Sequence, residues 1–250
     1  MADLHIKTQA ELLGEEDACL TRKAAKSLKR YSKNQKLREL GIYTLGGEIF
    51  SSITHGVTAA AGVGVLIAGV ILAVKSGLGA VAIISVVIYG LCAIAGFTIS
   101  TVYHALAINS GKRVMRVLDY CSIYFIIAGT YTPFCLIAIA GWVGYTIFGI
   151  NWILCILGTT LSAINREKFK TFSFVCYLSM GWIVLFAVIP LIRAIGFGAV
   201  FWFLLGGGIA YTLGSAVFKM KGKYTHGIWH LFTLAGLVLH FLAVVYLLRL

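Results

Sequence analysis

Seven apolar runs alternate with short polar stretches, at about 53–74, 79–105, 116–139, 142–163, 172–192, 196–218 and 226–248. Each is close to the roughly 20 residues a helix needs to cross the hydrocarbon core of a bilayer. Three of the polar stretches carry basic clusters: Lys112, Arg113 and Arg116; Arg166, Lys168 and Lys170; and Lys219, Lys221 and Lys223. The pattern predicts an all-α fold, a bundle of seven transmembrane helices. Residues 1–46 read as a basic tail and residues 47–250 as the membrane domain.

Composition supports this. The chain is 60% hydrophobic and only 12% charged, which excludes an ordinary soluble domain. Its net charge of +12 would point to nucleic acid in a soluble protein. Here the basic residues flank the apolar runs, so they read as topogenic signals and no nucleic acid is expected. All but three of the 21 Lys and Arg residues fall in the N-terminal tail or in the loops after runs two, four and six. The exceptions are Lys75, Arg193 and Arg249. The positive-inside rule then predicts a cytoplasmic N-terminus, an outside C-terminus and a multi-pass plasma-membrane protein with membrane lipids as its partners. Protein partners are not legible. Residues 1–40 contain no apolar core, so no signal peptide is expected. The alternation of Lys or Arg with apolar residues between Arg22 and Arg38 fits an amphipathic helix on anionic lipid or a solvated tail. Residues 41–52 read as a short interfacial segment. The six cysteines form no CxxC pair and read as small buried hydrophobes.

The topology brings chemistry to one depth. His104 ends the second run at its cytoplasmic end. His226 and His230 open the seventh run there, spaced i, i+4 on one helical face. Asp119 stands in the first turn of the third run, and Ser100 lies one turn deeper than His104 on the same face. A lone intramembrane histidine more often hydrogen-bonds a neighbouring helix than binds metal. Three of them with a carboxylate at one depth point to a metal site, because polar groups in apolar helices are costly and usually functional. Three imidazoles with an open fourth position form the ligand set of a catalytic Zn2+ ion, which lowers the pKa of bound water toward about 7. Asp119 could then serve as general base and Ser100 as a hydrogen-bond donor. His55, also at the cytoplasmic end, reads as an alternative ligand or as a hydrogen-bond partner of the seventh run or of Glu48. His240 lies ten residues beyond His230, about 15 Å along the helix, and reads as a contact within the bundle. Tyr131-Thr132-Pro133 predicts a kink, and Gly206-Gly207-Gly208 with Gly214 predicts close helix approach.

At these residues the chain resembles the hemolysin III family, the microbial branch of the progestin and adipoQ receptor (PAQR) superfamily. Glu48 precedes Thr54-His55-Gly56, and Ser100-Thr101-Val102-Tyr103-His104 supplies SxxxH. Leu118-Asp119-Tyr120, Gly129-Thr130-Tyr131-Thr132-Pro133, Gly181-Trp182, Tyr211-Thr212-Leu213-Gly214 and His226-Gly227-Ile228-Trp229-His230 follow in family order. The resemblance implies a seven-helix bundle with a cytoplasmic N-terminus. It implies zinc held by His104, His226 and His230, with a water between the metal and Asp119 and with Ser100 nearby. The wider superfamily includes alkaline ceramidases, so the resemblance implies a hydrolase of a lipid amide or ester. Two other readings stay open: a non-enzymatic sensor or regulator of membrane state with structural zinc, and a direct cytolysin. The chain carries no toxin-like feature for the last.

Overall fold

In a computed structural model, residues 19–23, 26, 27, 43–220, 222 and 224–250 are described. Among them the fold is all-helical. The order is α1 (Leu45–Lys75), α2 (Ala80–Ala105), α3 (Ser110–Pro133) with a π-helical turn at Phe134–Ile139, and α4 (Gly141–Trp182). A 3₁₀ turn (Ile183–Ala187), α5 (Val188–Ile195), α6 (Ala199–Lys219) and α7 (Thr225–Leu247) follow. Six helical runs are long and apolar enough to cross a membrane. Residues 19–23, 26 and 27 are helical and exposed; the rest of the 22–38 segment lies outside the described residues, as do Lys221 and Lys223.

The count of six arises because the expected fourth and fifth runs form one helical stretch, Gly141–Ile195. That stretch is not straight. Asn165 has φ −157° and ψ 88°, which breaks the helix at one residue. The Ser162 and Ser173 hydroxyls are 3.1 Å apart, whereas eleven residues of straight helix would separate them by about 16 Å. The chain therefore doubles back at Asn165. No loop is needed, because the Asn165 side chain accepts from the Lys168 amide at 3.0 Å and caps the helix that follows.

Two helices begin earlier than their apolar runs suggest. Residues 45–52 are the opening turns of α1, not a separate interfacial segment. Thr44 caps them by accepting from Gly47 N at 3.2 Å, and Glu48 favours the positive end of the helix dipole. Asn109 caps α3 by accepting from Lys112 N at 2.9 Å, so Asp119 stands in the third turn rather than the first. Pro133 ends regular α-helix in α3. The ring cannot bond back to Gly129, and the chain continues as the π turn before Ala140 at φ 47°.

The helices pack as a ring: α1 lies against both α2 and α7, α2 against α3, α3 against α4, and α6 against α7. One half is closed by apolar side chains, with Val86, Tyr89, Leu191, Val244 and Leu247 in a single cluster. The Tyr89 hydroxyl donates to Leu237 O at 3.2 Å and ties α2 to α7 there. Ile53, Ile67, Val74 and Phe186 face outward, Phe186 at 90% exposure, which suits lipid rather than water. The cysteines are free; Cys121, Cys135, Cys155 and Cys176 are buried as their apolar settings suggest, whereas Cys92 is only partly buried and Cys19, in the polar tail, is exposed. At Gly158 a Cβ would overlap the Tyr124 ring, and at Gly207 it would overlap His240. A Gly158→Leu substitution is expected to cost about 1–3 kcal/mol by overpacking. The melting temperature in detergent should fall for Gly158→Leu and hold for Gly149→Ala, where no neighbouring atom lies close.

Candidate metal centre

The site is built on two helix ends. The last turn of α2 carries His104, and the first two turns of α7 carry His226 and His230. His226 Nε2 lies 3.1 Å from His104 Nε2 and 3.1 Å from His230 Nε2. Among the described residues, these three side chains offer ligand atoms that all lie within 4.8 Å of one another. Donors bound at 2.0–2.1 Å around a tetrahedral ion would be roughly 3.3 Å apart, so the spacing suits a small divalent metal.

The proton positions also fit a cation. His104 Nδ1 is 2.6 Å from Glu48 Oε2, and a carboxylate accepts, so that nitrogen donates and Nε2 is left to face the other two rings. His230 Nδ1 faces the Ser51 carbonyl at 3.3 Å, with the same consequence. His226 Nδ1 lies 3.2 Å from the Tyr43 hydroxyl, and the two rings stack at 4.3 Å. Burial pushes the Tyr43 phenol well up, which keeps it protonated. One proton on His226 Nε2 could satisfy only one of its two neighbours. A positive ion at the centre satisfies all three nitrogens.

Glu48 and Lys112 support this arrangement and were not recognised as site residues in the sequence. Lys112 Nζ lies 2.9 Å from Glu48 Oε1 and donates to Leu106 O at 3.0 Å. Its side chain is 2% exposed. The lysine holds the carboxylate, and the carboxylate orients His104, as outer-shell carboxylates do for metal-bound imidazoles. A signal was present: Glu48, Ser51, His55 and Thr58 recur at helical spacing and form one buried stripe on α1.

The other expected residues fall nearby. Asp119 and Ser100 line a cavity of about 460 Å³ together with His226, His230 and His55. Asp119 stands outside the convergent ligand set. His55 is not in that set either: it stacks on His230 at 3.5 Å, and its Nε2 is 3.2 Å from Thr233 Oγ1. His240 contacts Leu204 O through Nε2 at 3.2 Å, a link from α7 to α6. It nonetheless borders the same cavity at its far end.

The family model described as "Haemolysin-III related" matches residues 43–241. The chain belongs to this haemolysin-III-related family. It is 36% identical to the hemolysin-3 of Bacillus cereus over 200 residues, which cover 80% of this chain and 90% of the relative. It is 34% identical to the hemolysin-3 homolog of Bacillus subtilis (strain 168), over 82% of this chain and 96% of the relative. The human monocyte to macrophage differentiation factor is 30% identical over 62% of this chain and 66% of its own length. The haemolysin-III-related family, with the apolar spans, makes this a multi-pass membrane protein.

Glu48→Gln keeps the shape of the side chain and removes its charge. Divalent metal affinity is expected to fall about 10–100-fold, read by competition with a chromogenic chelator. Lys112→Met leaves Glu48 as a buried charge without its cation, and unfolding in detergent should show a loss of about 3–5 kcal/mol.

Proposed function

We propose that this haemolysin-III-related protein is a zinc-dependent membrane hydrolase of a lipid amide or ester, ceramidase-like in its reaction. The observation that carries the reading is the convergence of three imidazole nitrogens beside a cavity that Asp119 and Ser100 also line. Zinc on His104, His226 and His230 would supply a Lewis acid and an ionisable water at neutral pH. Asp119, the carboxylate in the cavity wall, would accept the proton of the attacking water. Ser100 would hold the Asp119 carboxylate by hydrogen bonding and meet the substrate carbonyl as a donor. Glu48 keeps the His104 ring in its ligating tautomer. The apolar remainder of the cavity would hold an acyl chain and exclude bulk water.

We read the membrane arrangement as seven crossings, with the reversal at Asn165 separating the fourth from the fifth. The N-terminus would then lie in the cytoplasm and the C-terminus outside, as the distribution of Lys and Arg requires. The metal centre would stand at the cytoplasmic end.

Metal content and hydrolysis of a fluorescent ceramide and a matched acyl ester test the reading on full-length protein in detergent. Wild type should carry stoichiometric zinc, and His226→Ala/His230→Ala should lose both zinc and turnover. Asp119→Asn should keep zinc and lose roughly 10²–10⁴-fold in rate. Zinc without turnover would overturn the hydrolase and leave a structural metal in a membrane sensor. A reporter fused after residue 250 that is active only outside, and one before residue 1 active only inside, would support seven crossings; activity on the same side would reject them.

A further inference from the structure

The cavity is not apolar throughout. Its wall includes the cations Arg166, Lys170 and Lys219 as well as Asp119 and the histidines. Basic residues at a cytoplasmic helix end need no explanation beyond topology. Two of these, however, are laid against aromatic faces, Arg166 largely buried and Lys219 still exposed. The Arg166 guanidinium sits 3.7 Å from the centre of the Tyr120 ring, the residue next to Asp119. Lys219 Nζ sits 3.6 Å from the centre of the Phe174 ring. Tyr120 and Phe174 themselves line the cavity.

Arg166 has a further peculiarity. Its side chain is only 16% exposed, and its Nε is buried without a hydrogen-bond partner. Its acidic neighbour is the exposed Glu167, which contacts NH1 and leaves Nε unmet. That Nε is closed off from the cavity as well, but Arg166 lines the wall, and its guanidinium offers a charged donor to an acceptor bound there. Against three cations, Asp119 is the one carboxylate in the cavity wall among the described residues.

We propose that the cavity takes a single-chain amphiphile with an anionic headgroup, a carboxylate or a phosphate. The headgroup would meet Arg166, Lys170 and Lys219, and the chain would run inward along the apolar wall. A volume of about 460 Å³ lies within the range of sites for one compact ligand. This rests on the hydrolase reading for the identity of the site, where the scissile group would lie near Ser100 and Asp119, but the binding claim stands apart from turnover.

The test is equilibrium binding to full-length protein in nanodiscs of neutral lipid. The probes are an N-acylglycine, a lysophosphatidate and the uncharged N-acylethanolamine of equal chain length. Both anionic probes should bind at least about tenfold more tightly than the neutral one, and the margin should shrink as salt rises from about 0.05 to 0.5 M. A stronger margin for lysophosphatidate assigns a phosphate headgroup, and the reverse a carboxylate. R166Q/K219Q should remove most of the margin while neutral binding and metal content hold. R166K keeps the charge but not the planar fork and should lose an intermediate share. Equal affinity for charged and neutral probes, or a margin insensitive to salt in wild type, overturns the proposal whatever the variants do. An anionic preference without hydrolysis would sink the hydrolase reading and leave this one standing. Hydrolysis of neutral amides without any preference would do the opposite.

Discussion

Polar groups buried in an apolar bundle must find partners within the protein, since the lipid offers none. Three imidazoles turned toward one point make that requirement severe. Glu48 and the Ser51 carbonyl occupy the outer nitrogens of His104 and His230, so the inner lone pairs face one another. A cation at that point would relieve all of them together. Glu48 in turn is acceptable at that depth because Lys112 neutralises it, and Lys112 is acceptable because Leu106 O takes a second of its protons. The chain of dependence runs from the α3 cap through lysine and carboxylate to the ring of His104.

That chain explains how the helices are arranged. The polar stripe of α1 must face both α2 and α7, and α1 packs between them. The half of the bundle away from the histidines has no such demands and closes on aliphatic side chains. The histidine half stays apart around a cavity whose wall mixes imidazoles, a carboxylate and cations. The contrast places the polar cluster at one end and apolar packing at the other. The apolar half anchors α2 and α7, and their opposite ends carry the three converging imidazole rings.

Membership in the haemolysin-III-related family agrees with this layout, since the matched region begins at Tyr43 and so includes the residue stacked on His226. The likeness to Bacillus hemolysin-3 proteins covers about four fifths of the chain, not a local motif. In the proposed chemistry Asp119 acts from outside the ligand set, which is what a proton acceptor beside a metal centre requires. The cations on Tyr120 and Phe174 would add a recognition element at the mouth of the cavity.

The amino-acid pattern by itself determined that the chain is helical, apolar enough to span a membrane, and carries His104, His226 and His230 at one depth. These follow from periodicity and run length, which are local properties. The helix ends at Thr44, Asn109 and Asn165 were less legible, because a single capping side chain moves a boundary by two turns or replaces a loop with a one-residue reversal. Glu48 was visible as a residue but not as the partner of His104, fifty-six positions away. Only the tertiary structure decided that Lys112 is buried against it, that His55 stacks on His230 instead of joining the ligand set, and that Asp119 lines the cavity beside it. Such choices depend on which rings and charges meet across helices, and no spacing within one helix contains that information.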